Sequence, residues 1–477
     1  MEERKKYTKL HIYDFGPFKE AHIELAPLTI FIGKNSLGKS MLLYLIWVLE
    51  MTPMDYRSLG EAVIREGAMR LAEKCLAEVE AGNNPTKLLR QLLLLFLKVF
   101  PRIWPESLKH NLRSVFGTDI SKLVRFGADV SKITIEAGMG EIELLIKGGE
   151  LTARWIRLDE EIINEVNVKL MGKHGLTVFG EWETTIDFSS TLDILNDVLT
   201  LFEKILHDIL GGFAGTSEGV ENLLVDGRAG ITRTLLTAYP GVSRIIREAL
   251  SADFEFIDNM YRTARDFVEK EVDIKAPAFL LLLRELGFEP DIVEEFGIPR
   301  IYVKTWTDQR LPLERAPSGI RETMPVILAL LSRNTSITYA EEPEAHLHPK
   351  AVRLVPRLMA YAINELGKHV RITTHSDILI SQINNLIVMS ADPEGAHELG
   401  YEPSELLRPE QVRAYLLKRA DDHVEVMPLP VREDGFDEAT FEEVAWELFE
   451  ERSEVLRLLE AARRAKGKAG IKEDTVG

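Results

Sequence analysis

The sequence predicts an α/β fold: a mixed β-sheet with flanking helices, interrupted by a helical insertion and followed by a small C-terminal α/β extension. Three observations predict it. The continuous apolar run Leu28-Thr29-Ile30-Phe31-Ile32 suits a central strand, and it leads through a glycine-bearing turn into the buried helical run 41–47. Roughly 300 residues later, Ile337-Thr338-Tyr339-Ala340 ends in paired carboxylates, Glu341 and Glu342. A third short strand, Val370-Arg371-Ile372-Thr373-Thr374, precedes His375. Polar groups at the ends of buried strands are where α/β folds build their sites. Both ends of the chain are therefore expected to contribute to one site.

The elements follow in order. Residues 8–12 and 22–25 alternate as half-buried strands, with Asp14-Phe15-Gly16-Pro17-Phe18 as the turn between them. From about 59 to 100 the pattern is helical. Strand signals return at 132–136 and 141–146, followed by Gly148-Gly149. Residues 195–295 read as mostly helical, punctuated by Gly211, Gly212 and Gly215, with no sustained heptads. A C-terminal helix is expected over about 438–464. Its basic end, Arg463, Arg464, Lys466 and Lys468, reads as a solvated helix terminus. The resulting division is 1–150 and 311–395 for the two parts of the head, 151–310 for a strand-containing then mostly helical insertion, and 396–477 for the extension.

Composition bounds the function. With 477 residues, 45% hydrophobic and 28% charged, the chain is an ordinary globular protein of two or three domains. Its apolar runs at 92–97 and 279–283 are too short to span a bilayer, which predicts no membrane partner. The charged start Met1-Glu2-Glu3-Arg4-Lys5-Lys6 leads into no apolar signal core, and the single cysteine, Cys75, fits a reducing compartment. A cytoplasmic location is expected. The net charge of −18 argues against a protein that coats nucleic acid constitutively, since phosphate neutralisation supplies most of such affinity.

The chemistry lies in four motifs. Gly33-Lys34-Asn35-Ser36-Leu37-Gly38-Lys39-Ser40 fits the G-x-x-x-x-G-K-[ST] phosphate loop. Its glycines let successive N–H groups point inward at a helix N-terminus. Lys39 is expected to reach the β/γ-phosphates of ATP, and the Ser40 hydroxyl to ligate Mg2+. Glu341 is expected to face the magnesium shell, and Glu342 to orient or deprotonate the attacking water. His375 could hydrogen-bond the γ-phosphate. Ser318 and Gly319, opening a helical run, expose N–H groups as a second anion site. One loop already cradles the chain's own nucleotide, so the second would serve a nucleotide held by another chain. His346-x-His348 lacks a third ligand at sensible spacing for a metal.

This order of phosphate loop, long insertion, Ser-Gly signature, Glu-Glu-Pro-Glu-Ala-His-Leu-His-Pro and Thr-His-Ser resembles the ABC-type ATPase heads, in the branch containing RecF, the structural-maintenance-of-chromosomes proteins and the OLD-family ATPases. Phe15-Gly16-Pro17-Phe18 followed by Leu28–Ile32 is similar to that branch too. The resemblance implies an ABC-ATPase-like P-loop NTPase head. It places Ser318 and Gly319 on the signature loop that contacts ATP across a dimer, Glu342 on the catalytic glutamate, His375 on the switch histidine, and Ala345 to His348 on a loop touching the dimer partner. Three residues depart from the pattern: Glu341 for the usual aspartate, Ile320 where a second signature glycine is common, and the bulky Leu37. Gln91 is the available glutamine-loop residue, though no strand leads into it.

The function expected is ATP hydrolysis at sites shared between two subunits, whose closure and opening act on DNA or a partner protein. A slow-turnover, nucleotide-gated scaffold for a separate effector is the alternative. An OLD-like nuclease fits least, because the dense acidic stretches after Ser390, such as Asp421-Asp422 and Glu433-Asp434, read as solvated faces rather than a metal site.

Overall fold

A computed structural model describes residues 7–171, 174–179, 182–213, 220–228, 230–232, 251–295, 297–437, 446–447 and 449–459. Gly215, the N-terminal hexapeptide and the basic cluster after 460 lie outside these residues. The helix expected over 438–464 is described only at 446–447 and 449–459, where the backbone is helical.

Strands β1 (Lys9–Phe15), β2 (Phe18–Glu24) and β3 (Leu28–Ile32) open the chain. The middle contributes β4 (Val130–Ala137), β5 (Gly140–Lys147), β6 (Glu150–Leu158), β7 (Asn167–Met171), β8 (His174–Phe179), β9 (Trp182–Asp187) and β10 (Val220–Leu224). After these come β11 (Phe288–Glu295), β12 (Ile298–Thr305), β13 (Arg310–Pro312), β14 (Thr335–Glu341), β15 (His369–Thr374), β16 (Val412–Arg419) and β17 (Val424–Leu429). One 11-stranded sheet runs β10-β14-β15-β3-β16-β17-β2-β1-β4-β5-β6. Its first five strands are mutually parallel, whereas the wing from β2 to β6 is antiparallel. Every residue of β3 is buried, as a parallel strand covered on both faces requires, while β6 alternates between covered and exposed positions.

Four strands depart from the sequence reading: β10 and β11 lie inside residues 195–295, read as mostly helical, and β16 and β17 join the main sheet from the extension. Val220–Leu224, inside the stretch expected to be helical, forms β10 at the edge of the parallel core, beside β14. Residues 412–429, assigned to a C-terminal extension, instead supply β16 and β17, which join the parallel core to the antiparallel wing. The centre of β16, Ala414-Tyr415-Leu416-Leu417, is a short apolar run whose length does not distinguish strand from helix. Pairing with β3 decides it. Arg413 bonds Glu24 at 2.7 Å, the Tyr415 hydroxyl donates to the Glu24 carbonyl at 3.0 Å, and Tyr415 stacks on Phe31.

Helix α1 (Lys39–Met51) follows the phosphate loop, and α2 (Tyr56–Arg65), α3 (Ala68–Glu80) and α4 (Thr86–Phe116) pack beside it. The helical pattern was expected to stop near residue 100, yet α4 continues through Pro101 and Pro105. Pro101 has no N–H for the carbonyl of Leu97. The Trp155 indole of β6 donates to that carbonyl at 2.8 Å, so the vacated acceptor stays satisfied. Helix α5 (Thr191–Leu210) covers the wing, and its neighbours Ser251–Val268 and Pro277–Leu286 confirm the helical character of that region.

Buried charges tie the parallel core together. Glu50 of α1 accepts from Arg371 of β15 at 2.6 Å and from the Tyr339 hydroxyl of β14. Burial raises the Glu50 pKa and the Arg371 guanidinium opposes the rise. Breaking one side of such a buried set costs about 3–5 kcal/mol. Lys368, 1% exposed, donates to the carbonyl of Ala329 at 2.8 Å and to the Thr335 hydroxyl. Burial holds its pKa down at about 7. The unfolded chain then carries a proton that the folded chain lacks from about pH 7 up to the ordinary lysine value near 10.4, so this group makes stability rise with pH through that window. Between pH 7 and 10 the urea stability of the wild type is expected to gain on the order of 3 kcal/mol relative to Lys368→Met. A difference between the two proteins that does not change with pH rejects this assignment.

Candidate functional site

Three adjacent parallel strands, β14, β15 and β3, deliver sequence-predicted groups at their C-terminal ends, and β10 beside them adds one that was not predicted. β3 leads into loop 33–40, β14 ends at Glu341, His375 follows β15, and Asp226 follows β10. The site is thus assembled from segments far apart in sequence by strand pairing alone.

The loop itself is shaped by glycine in two different ways. Gly38 caps α1 with φ of +87°, and a Cβ there would lie 2.7 Å from the Phe18 ring. At Gly33 the limit is the neighbouring strand, because a Cβ would lie 2.8 Å from the carbonyl oxygen of Leu417 in β16. Ser36 adopts a left-handed φ of +64°, and Lys34, Asn35 and Ser36 form an exposed crest, with Leu37 partly covered. Lys39 is buried, and its ammonium donates to the carbonyls of Gly33 (2.8 Å) and Lys34 (3.1 Å). Burial lowers its pKa, while Glu342, Glu344 and Glu341 oppose the fall. Three carboxylates therefore act on this ammonium.

Glu341 is buried, and its Oε2 accepts from the Tyr44 hydroxyl at 2.6 Å and from the Asp226 N–H at 2.8 Å. Tyr44 lies four residues after Ser40 on α1, hence on the same helix face. The carboxylate is thereby drawn to the helix that begins with the phosphate loop. The methylene by which Glu341 exceeds aspartate provides that reach. Burial, then the Glu341 charge, pushes the Tyr44 pKa far up, so its hydroxyl stays a donor. Asp253 of helix Ser251–Val268 lies in the same field: burial and Glu341 raise its pKa.

Glu342 leaves the strand with φ of +40°, a region that side-chain-bearing residues rarely occupy. Its N–H donates to the Thr373 carbonyl at 3.0 Å, and its Oε1 lies 3.0 Å from His375 Nδ1. Both side chains keep some exposure, the histidine about half. Behind them, the buried Glu344 accepts from the Thr374 hydroxyl at 2.5 Å, and burial raises its pKa.

Ser318 and Gly319 open the helix Ser318–Leu331, with Pro317 at its N-cap. Ser318 is exposed, whereas Ile320 turns into the core at 6% exposure. A Cβ on Gly319 would lie 3.1 Å from the His346 carbonyl, so the N-terminus of this helix and the Ala345–His348 loop adjoin each other. His346 itself has a φ of +59°. His348 Nδ1 accepts from the Lys350 N–H at 3.4 Å and caps the following short helix. Among the described residues, no hydrogen bond or ion pair links Ser318 or Gly319 to loop 33–40.

Tyr44, Asp226 and Arg228 went unnoticed in the sequence. Gln91 sits exposed within α4, in the middle of a helix and away from any strand end. The polar loop beside Glu341 is instead Asp226-Gly227-Arg228, placed there by β10. Tyr44 carried one usable signal, its four-residue spacing from Ser40. Asp226 and Arg228 carried none, because the strand before them was read as helix.

Residues 237–380 match the family model described as an AAA ATPase domain, a stretch that includes Ser318, Glu341, Glu342 and His375. Loop 33–40, outside the matched stretch, is delivered to the same strand ends. Among solved structures, the chain is similar to an Smc head bound to the C-winged helix domain of ScpA: 13% identity, TM-score 0.42, 89% of this chain and 98% of that one covered. An Smc head domain with an extended coiled coil, bound to the C-terminal domain of ScpA and derived from Pyrococcus furiosus, shares 12% identity at a TM-score of 0.42, covering 94% and 99%. The SMC head domain from Thermotoga maritima shares 10% at a TM-score of 0.35, covering 89% and 99%. No curated protein matches the chain.

Proposed function

We propose that this chain binds Mg-ATP in loop 33–40 and hydrolyses it to ADP and phosphate, at sites completed by a second copy. The observation that carries the reading is the Glu342–His375 pair, 3.0 Å apart at the strand ends that also present Lys39 and Glu341. The donors present suit the ligand. Backbone N–H groups of the exposed crest Lys34 to Ser36, with Leu37 and Gly38, would hold the phosphates, and the Lys39 ammonium would leave its loop carbonyls for the β/γ-phosphates. Ser40 and Glu341 would hold Mg2+, which when bound neutralises charge on the β- and γ-phosphates. Glu342 would orient the attacking water and take its proton, and His375 would hold the carboxylate and hydrogen-bond the γ-phosphate. Gly33 keeps the loop close to β16.

Ser318 and Gly319 would complete the site of a second copy, next to the Ala345–His348 loop on the same face. Closure of two copies around ATP, and reopening after hydrolysis, would then act on DNA or on an effector protein. A slow-turnover scaffold is supported by one observation: Glu341 is already engaged by Tyr44 and Asp226, so its freedom to turn toward a metal is reduced. Among the described residues, no helix is long and apolar enough to cross a membrane.

The test is ADP release from Mg-ATP by the purified chain, with and without DNA. Turnover above that of Lys39→Ala is expected. Stimulation by DNA selects DNA as the partner, and equal rates select an effector protein. Rates indistinguishable from Lys39→Ala reject hydrolysis.

A further inference from the structure

Arg228, in the turn after β10, is completely buried. Its guanidinium reaches four carbonyls: Nε donates to Glu322 at 3.0 Å, Nη1 to Val225 at 3.0 Å and Glu341 at 2.6 Å, and Nη2 to Glu342 at 3.0 Å. Nε also lies 3.1 Å from the Glu322 carboxylate, itself buried. Three elements that sequence keeps apart thus meet on one side chain: the β10 turn, the end of β14 and the helix that starts at Ser318.

We propose that Arg228 is a positioning residue that sets the two site carboxylates and makes their placement depend on the signature helix. The carbonyls of Glu341 and Glu342 bracket the point where β14 gives up extended geometry for the left-handed φ of Glu342. Such a conformation persists only where its surroundings over-determine it. Arg228 supplies that constraint from inside the protein, by a hydrogen bond to each of these two carbonyls. The same guanidinium holds Glu322, one helical turn beyond Ser318 and Gly319, so a displacement of the helix N-terminus would be felt at Glu342. The planar fork is necessary because five donors in fixed directions reach acceptors that a lysine ammonium, a single point with three donors, cannot span.

This inference rests on the ATPase reading. It also extends that reading, by making the signature loop a lever on the chain's own catalytic carboxylate. Full-length wild type, Arg228→Lys and Glu322→Gln are compared by calorimetry with a non-hydrolysable ATP analogue, by steady-state Mg-ATP turnover and by thermal melting. Both variants are expected to bind the analogue within about threefold of wild type, with kcat lowered roughly tenfold or more in Arg228→Lys, less in Glu322→Gln, and KM held. A kcat for Arg228→Lys within about twofold of wild type overturns the proposal. A parallel fall in analogue affinity, kcat and melting temperature also overturns it, since that is what a merely structural residue gives. If Arg228→Lys does not fold, Glu322→Gln decides, and an unchanged kcat there is the contrary result. A wild type that fails to bind the analogue rejects the ATPase reading itself, and this inference with it.

Discussion

Replacing Lys39 with alanine is expected to leave a folded protein that has lost ATP binding. The ammonium is buried beneath the loop, bonded to the carbonyls of Gly33 and Lys34 and in the field of three carboxylates. Nothing else on loop 33–40 brings a full positive charge into this cradle, because Lys34 sits on the exposed crest. Removing it leaves two loop carbonyls without their donor and carboxylates with no cation to offset them. A triphosphate then meets net negative charge. Affinity is expected to fall by about 100-fold or more, roughly 2.7 kcal/mol, measured by calorimetry at fixed Mg2+. Unchanged ATP affinity would falsify the placement of the nucleotide in this loop.

Glu342→Gln is expected to have the second large effect, and of a different kind. Glutamine keeps the size of the side chain and its reach to His375 Nδ1, 3.0 Å away, but it cannot take a proton from water. It also inherits the same left-handed backbone, so local geometry changes little. Turnover is expected to drop by about 100-fold to 10,000-fold while ATP binding persists. If Ser318 and Gly319 complete a second copy's site, the uncleaved nucleotide holds two copies together. Light scattering at saturating Mg-ATP should then report twice the mass of the chain. A monomer under those conditions, with ATP bound, removes the shared site from the account and leaves hydrolysis within one chain.

How much of this was readable from sequence follows from how local each feature is. The phosphate loop, the carboxylate strand and His375 are each written within about ten consecutive residues, as strand, turn and polar group, and pattern suffices for them. Their meeting at adjacent strand ends required only that the strands be parallel and neighbouring. β10 and β16 are different. Each is a short segment, Val-Glu-Asn-Leu-Leu in β10 and an apolar run at the centre of β16, whose identity as a strand is fixed by a partner more than 100 residues away, Ile337–Ala340 for the first and Leu28–Ile32 for the second. With β10 read as helix, Asp226 and Arg228 could not be placed beside Glu341. Pro101 and Pro105 misled for the opposite reason. Local rules end the helix there, and a tryptophan on β6 makes its continuation tolerable.

The place of β16 also bears on when the protein becomes competent. β3 carries the phosphate loop, and one of its two edges is filled only by residues 412–419. The Leu417 carbonyl sets the space allowed to Gly33, and Val424 bonds Pro17 at 2.8 Å to attach the wing. During synthesis, the first segment of this site leaves the ribosome with an edge that stays open until residues 412–416 have emerged. Long-range pairing of this kind is slow to form and exposes unpaired strand edges meanwhile. A nascent chain arrested before residue 412 would carry every sequence motif of the nucleotide site and still lack the strand that shapes its first glycine.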